Sequence, residues 1–542
     1  MKMIGAQVLI EALKREGVTH MFGYAGATIC SAVDALAQSD IHYTLVRTEQ
    51  NAGHMASGYA RISGKPGVCM VTSGPGATNL ITGIATAYMD SIPVIAITGQ
   101  VPCTQLGRDI FQEVDITGAV APFIKHSYLV KDVKALPRIV REAFHIATTG
   151  RPGPVLIDIP SDIQSMEVED PVFPETVSIR GYKPSVKGNM AQLKRAAEAI
   201  SMSQRPVLCA GGGVFSAGAQ EELRRFAESA GIPVVTTMMG LSVLPTDHPL
   251  NMGMIGSFGT ACANKTLAKS DLLILAGARV ANRAVLDPYE IGRRMKTIHL
   301  DVDPAEIGKN LSVNIPVVGD LKVLLQQLLE LNPATTAQDL ENMTAKRTAE
   351  RHASFKPVPT GTVHPGLVMR ELGSRLNPDA MVTVDVGQNQ IWACKHLPLY
   401  GGRLLTTGGL GTMGYALPAA LGAKVAAPDR QTVVICGDGG FQMAFNELST
   451  LRSLNADVKI VMIQNSVLGL VHEIQRSSYP AGPFGVDLDH SPDFAKLAEA
   501  YGIPSGRLTC NEDIPAAIET MLRTPGPYLL CCIVDPEIRT GD

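Results

Sequence analysis

The chain is 542 residues long, 45% hydrophobic and 18% charged, with a formal net charge of −4. That length is too great for one core and suits three domains of about 100–200 residues each. The charge balance holds no basic excess that would point to nucleic acid, and no apolar run approaches the roughly 20 residues that cross a bilayer.

The first 18 residues set apolar positions against Glu11, Lys14, Arg15 and Glu16 at helical spacing, which predicts a domain helix, no signal peptide and a cytoplasmic protein. Short β-branched apolar runs follow at 68–72, 94–98 and 155–159, then at 207–210, 272–276 and 297–302, then at 382–384, 432–436, 459–463 and 528–534. Such runs, alternating with helical stretches, mark parallel sheets covered on both faces. Two stretches break the rhythm and read as linkers: 165–189, with Pro171, Pro174 and Pro184, and 331–366, with Pro333, Pro357, Pro359 and Pro365. The expected fold is α/β, with three doubly wound parallel-sheet domains over 1–165, 190–330 and 365–535. The first and third share a length and a strand rhythm, as two versions of one architecture would.

The ten cysteines, among them Cys30, Cys103, Cys262, Cys436 and the adjacent Cys531 and Cys532, form no C-x-x-C pair. A structural zinc site would want that spacing, and disulfide frameworks belong to small secreted chains, so the thiols are expected to be reduced and mostly buried.

The segment 433–470 carries the most chemistry. An apolar strand ends in Gly437-Asp438-Gly439-Gly440, where glycines let backbone N–H groups approach an anion closely. A helix is expected over 441–452, and the strand at 459–463 ends in Gln464-Asn465-Ser466. In a parallel sheet both strand ends leave on one edge, so Asp438 and Asn465 can converge across 27 positions. A carboxylate, an amide oxygen and nearby carbonyls are hard ligands suited to Mg²⁺ already held by phosphates. A lone Gly-Asp-Gly would by itself be an ordinary strand-to-helix turn with a capping aspartate.

Residues 440–463 supply 24 intervening positions, and the pair resembles the thiamine-diphosphate motif, Gly-Asp-Gly followed by Asn-Asn. Gln464 stands where the first asparagine is expected; the resemblance gives metal ligation to Asp438, Asn465 and a main-chain oxygen near Val467. Other strings are similar to the catalytic subunit of the acetolactate synthase family: Thr72-Ser73-Gly74-Pro75-Gly76-Ala77-Thr78-Asn79-Leu80, Asp90-Ser91-Ile92-Pro93, Phe111-Gln112-Glu113-Val114-Asp115 and Gly408-Gly409-Leu410-Gly411-Thr412-Met413-Gly414-Tyr415. The similarity runs from near residue 5 to near residue 535.

The resemblance implies a pyrimidine-binding first domain, a central Rossmann-like domain and a diphosphate-binding third domain. It implies thiamine diphosphate and Mg²⁺ as cofactors, and decarboxylation of one small 2-oxo acid with carboligation to a second. Such enzymes lose the C2 proton of thiamine with help from a glutamate on the aminopyrimidine; in Val46-Arg47-Thr48-Glu49-Gln50 the match is Glu49, ahead of a glycine- and alanine-rich helix. Without the flanking match Glu49 would be a surface residue capping that helix. The resemblance places Gln112 among the catalytic residues, Met413 as the wedge between the cofactor's rings, Gly411 as a backbone acceptor, and Gly387, Gln388, Gly439 and Gly440 on the cofactor. It also implies a homodimer or homotetramer with the site between subunits, and a regulatory small subunit.

Arg283 matches the family's arginine for the acceptor carboxylate, but Ala281 and Asn282 replace two aspartates before it. Ile474 stands where a pocket tryptophan is expected, Ala27 replaces a glycine beside the reaction centre, and the tail ends early at Asp542. These departures surround the substrate, leaving open a decarboxylase, a lyase or a flavin-dependent oxidase of the pyruvate oxidase kind. Gly211-Gly212-Gly213, the stretch 254–260 and Asp301-Val302-Asp303 resemble the family's FAD-binding region, and with Phe258, Ala281 and Asn282 altered, FAD stays open too.

Overall fold

The computed structural model describes residues 2–285, 287–335 and 339–541; Met1, Leu286, 336–338 of the second linker and Asp542 lie outside the described residues. Its body is three six-stranded sheets, each parallel throughout. The first is built from His20–Tyr24, His42–Leu45, Gly67–Val71, Val94–Gln100, His126–Leu129 and Val155–Pro160. The third is built from Met381–Val384, Arg403–Leu405, Thr432–Gly437, Val458–Gln464, Ser505–Leu508 and Tyr528–Ile533. Counted in chain order within each domain, both have the spatial order 2-1-3-4-6-5, so the two are one topology used twice. The middle sheet runs 3-2-1-4-5-6, the dinucleotide-binding order, with its switch point between Pro206–Ala210 and Leu272–Ala276. Central strands such as Val94–Gln100 and Leu272–Ala276 are buried at every residue, which is why they are apolar without alternation.

Three sequence expectations are corrected. The N-terminal segment is a strand, Lys2–Ile4, before a helix, Gly5–Arg15; the strand pairs antiparallel with Glu167–Glu169 and closes the first domain on itself. The second linker contains a helix, Leu340–Arg351, started by Asp339 accepting from Asn342 N; its Glu350 caps the helix Ala261–Lys269, accepting from Ala261 N at 2.7 Å and Cys262 N at 2.9 Å. The helix expected over 441–452 begins at Asp438 instead and breaks into Asp438–Gln442, a 3₁₀ turn Phe445–Glu447 and Leu448–Ser453. The break turns Glu447 inward, where it accepts from Arg47 N at 2.8 Å, Asn51 Nδ2 at 2.9 Å and Thr450 Oγ1 at 2.6 Å.

The first and third domains meet through an antiparallel helix pair, Glu49–Ser63 and Ala416–Ala426, at near-backbone contact. A Cβ on Gly58 would lie 2.0 Å from Ala419 O, and one on Gly422 would lie 1.9 Å from Met55 O. Among the described residues all ten cysteines are free, six of them buried, and no helix is long and apolar enough to cross a membrane.

Candidate active site

The third sheet's order reverses between Met381–Val384 and Thr432–Gly437, and the crevice beyond those strand ends is where such folds hold ligands. Both strands deliver a buried aspartate there. Asp438 accepts from Gly439 N at 3.0 Å and from Ser466 N at 2.7 Å, so it meets the end of the neighbouring strand beside Asn465. Burial pushes its carboxyl up to about 6 against the pull of those N–H groups. Asn465 is buried; its Nδ2 donates to Gln388 Oε1 at 3.1 Å, and its Oδ1 accepts from Val467 N at 3.3 Å. Gln388 in turn donates to Glu473 Oε2 at 2.9 Å and to Ile538 O at 3.2 Å, so its side chain positions Asn465. Gly387 has φ 144°, a conformation closed to other residues. A buried carboxylate with no cation partner among the described residues, an amide oxygen and a turn of close-approaching amides form a donor set that fits Mg²⁺ and a diphosphate.

Asp385, from the first of those strands, is a residue the sequence reading missed. It accepts from Val386 N at 2.9 Å, Gly414 N at 3.0 Å and Ala416 N at 2.9 Å, and burial pushes it up to about 6. Its carboxylate therefore anchors the loop that carries Gly411, with φ 77°, and Met413. The Met413 methyl reaches the turn, 3.4 Å from where a Cβ on Gly439 would stand, and a Cβ on Gly440 would lie 2.6 Å from Asp385 Oδ1. The available signal was Asp385-Val386-Gly387 after an apolar strand, the same pattern as at Asp438.

Glu49 is the first residue of its helix and lies half-buried on the first domain. Asn79 Nδ2 donates to its Oε2 at 3.0 Å, and a Cβ on Gly76 would come within 3.4 Å of its Oε1. Gln112, at φ 63°, packs on Gly74, where a Cβ would stand 2.9 Å from Gln112 Cα. Its loop is tied by Glu113, which accepts from Gly107, Arg108 and Ile110 amides. Glu49, Asn79 and Gln112 thus share one edge, and Glu447 holds the segment before Glu49 against the third domain.

A cavity of ≈520 Å³ opens among all three domains, lined by Gly212 and Gly213, Arg151, Arg283 and Gly408 and Gly411. It lies over the middle sheet's switch point, where Gly213 packs on Gly277, a Cβ on the former coming 2.7 Å from the latter's Cα. Arg283 is exposed on its wall, and its carbonyl accepts from Ser257 N at 3.1 Å.

Models of thiamine pyrophosphate enzymes match the chain in three parts: the N-terminal TPP binding domain over 3–119, the central domain over 193–328 and the C-terminal TPP binding domain over 385–532. A probable acetolactate synthase large subunit of Methanocaldococcus jannaschii is 44% identical, over 98% of this chain and 92% of its own length. The acetolactate synthase large subunit of Lactococcus lactis subsp. lactis is 40% identical over 96% and 92%, and that of Corynebacterium glutamicum 42% over 96% and 84%. The chain belongs to the acetolactate synthase large-subunit family. It is a thiamine-diphosphate-dependent enzyme with the three-domain architecture of that family.

The departures from the family's strings fall on exposed or cavity-lining positions. Ala281 and Phe258 line the large cavity. Ala27 is exposed at the first sheet's switch point, and Ile474 is exposed on the helix Gly469–Ser478 behind Asn465. Trp392 cannot replace a pocket tryptophan, because it is buried with its indole N–H 3.4 Å from Arg539 O.

Proposed function

We propose that this chain decarboxylates one 2-oxo acid and joins the retained acyl carbon to the carbonyl carbon of a second, releasing CO₂ and forming a 2-hydroxy-3-oxo acid; its relatives are named acetolactate synthases, which supports this reading. The observation that carries the reading is the convergence of Asp438, Asn465 and the 437–440 turn at one switch point. Thiamine diphosphate, when bound, supplies the electron sink for CO₂ loss. Asp438, Asn465 and the carbonyl near Val467 would hold Mg²⁺, the amides of Gly439 and Gly440 the diphosphate, and Gly387 its close approach. Met413 and Gly411 would set the cofactor's bend, with Glu49 exchanging a proton with the pyrimidine and Gln112 lining the reacting edge.

The same reading has the site shared between subunits. Helix antiparallelism puts Glu49 two turns before Met55 and Tyr415 two turns before Gly422 in the opposite sense, a separation of roughly 20 Å at 1.5 Å per residue. That separation supports a cofactor held between Glu49 of one subunit and Met413 of another, in at least a homodimer. Exposed apolar side chains, Phe111, Leu410 and Met443 on the flanking loops and Ile474 on the helix Gly469–Ser478, suit burial in that contact. The relatives' designation as large subunits supports a small partner subunit. The domain limits 1–165, 190–330 and 365–535 and a cytoplasmic location belong to the same proposal.

The ≈520 Å³ cavity at a glycine-lined switch point fits a dinucleotide, and we propose FAD there as a structural group. Purified protein should carry flavin absorbance in the visible and release FAD on denaturation; a colourless protein that gains no thermal stability from added FAD would overturn this.

The product assay tests the activity. From pyruvate, with thiamine diphosphate and Mg²⁺, the enzyme should form acetolactate, and Arg283→Ala should shift products toward acetaldehyde. Loss of a charge-assisted contact to the acceptor carboxylate costs about 2–3 kcal/mol, or roughly 30- to 150-fold in capture. Acetaldehyde alone from the wild type would assign a decarboxylase instead.

A further inference from the structure

A second cavity, of ≈290 Å³, lies between the middle and third domains and is walled by Arg347 and Arg351 of Leu340–Arg351, Arg370 of Pro365–Arg375, and Lys395 and His396 at the end of Gln388–His396. Four permanent cations from three helices face one small space, and none forms an ion pair among the described residues. Arg351 donates to Thr246 O at 3.1 Å, Arg370 to Ala353 O at 2.8 Å and Lys395 to Thr540 O at 2.9 Å, all uncharged carbonyls. Arg347 is only 8% exposed, and its buried Nε has no partner.

The nearby carboxylates are engaged elsewhere. Glu371 pairs with Arg375 at 2.5 Å, and Glu350 is held by the amides of Ala261 and Cys262. Burial, then the charges of Lys395 and Arg370, push His396 down to about 3, so its ring is neutral and offers one N–H. Arg347 is shifted down by burial and by Arg351, against the weaker pull of Glu350, which forms no ion pair with it. A buried guanidinium with no ion-pair partner of its own is costly unless something anionic completes it.

We propose that this cavity is a binding site for a small phosphate-bearing anion, gripped by Arg347, Arg351, Arg370 and Lys395. Guanidinium forks suit phosphate oxygens, and a dianion answers several cations approaching from different directions better than a single carboxylate does. The volume, near the lower bound of about 300 Å³ for small-molecule sites, admits inorganic phosphate or a compact phosphate ester and excludes a dinucleotide.

The test is calorimetric titration of the holoenzyme, with the cofactor site saturated by thiamine diphosphate and Mg²⁺, at constant ionic strength. Inorganic phosphate and glycerol 3-phosphate are the two probes, and chloride is the control. Saturable binding of one anion per chain is expected, at least tenfold weaker in Arg347→Met and in Arg370→Met. Tighter binding of the ester would point to a phosphorylated metabolite and equal binding to free phosphate; either supports the site. Arg347→Met should also melt higher than wild type in phosphate-free buffer, because it removes an unpaired buried charge, whereas a merely structural arginine would lower the melting point when lost. Heats no different from chloride, or wild-type affinity in both variants, would overturn the proposal.

Discussion

Replacing Glu49 with glutamine should leave cofactor binding nearly intact and abolish turnover. The amide oxygen can still accept from Asn79 Nδ2, so the 3.0 Å contact that orients the side chain survives, and no group on the third domain is disturbed. What is lost is the ability to exchange a proton with the pyrimidine ring, which the proposed chemistry requires before a 2-oxo acid can add. Loss of a positioned acid–base group typically costs about 10²- to 10⁴-fold. Hydrogen–deuterium exchange at C2 of the bound cofactor, measured in the variant beside the wild type, isolates this step from later ones. Unchanged exchange would remove Glu49 from the role. Asn79→Ala offers a graded comparison: it leaves the carboxylate present but untethered, so exchange should slow less than in Glu49→Gln while cofactor affinity holds.

Much of the fold is legible in the sequence because parallel strands buried on both faces must be apolar at every position, so 272–276 stands out without any knowledge of its neighbours. The 437–440 turn is legible for a related reason: Gly437 to Gly440 and Asn465 serve a local geometry that tolerates few residue types. Features set by distant partners are not legible. Nothing in 441–452, which holds neither glycine nor proline, marks the break at Met443 and Ala444; Glu447 makes it, by turning to Arg47 and Asn51 some four hundred residues away. The helix Leu340–Arg351 was hidden because only Arg347 in it is buried, leaving no apolar stripe to read. Gln388 is expected on the cofactor, but its bonds to Asn465 and Glu473, which lie 77 and 85 positions away, have no local signature. The reason for Gly58 and Gly422, backbone contact between two helices, exists only once both domains are folded.

Asp438→Asn should weaken binding of thiamine diphosphate in the presence of Mg²⁺ by about 100-fold, which removes about 2.7 kcal/mol of ligand stabilisation at saturating cofactor. Asparagine keeps the volume and one acceptor oxygen, so either the Gly439 or the Ser466 amide stays satisfied, but the charge that a hard cation seeks is gone. The pH dependence gives a second readout. Burial holds the Asp438 carboxyl at about 6, above the ordinary carboxylate range, so the ionised, metal-binding form dominates above that pH and protons compete with Mg²⁺ below it. Apparent Mg²⁺ affinity of the wild type should therefore fall by up to about tenfold per pH unit below 6, with this part of the dependence absent in Asp438→Asn. Asp385, also at about 6, is present in both proteins and cancels in the comparison, as does titration of the diphosphate itself. Cofactor titrations at fixed Mg²⁺ across that range measure both quantities; wild-type affinity together with an unchanged pH slope in the variant would place the metal away from Asp438.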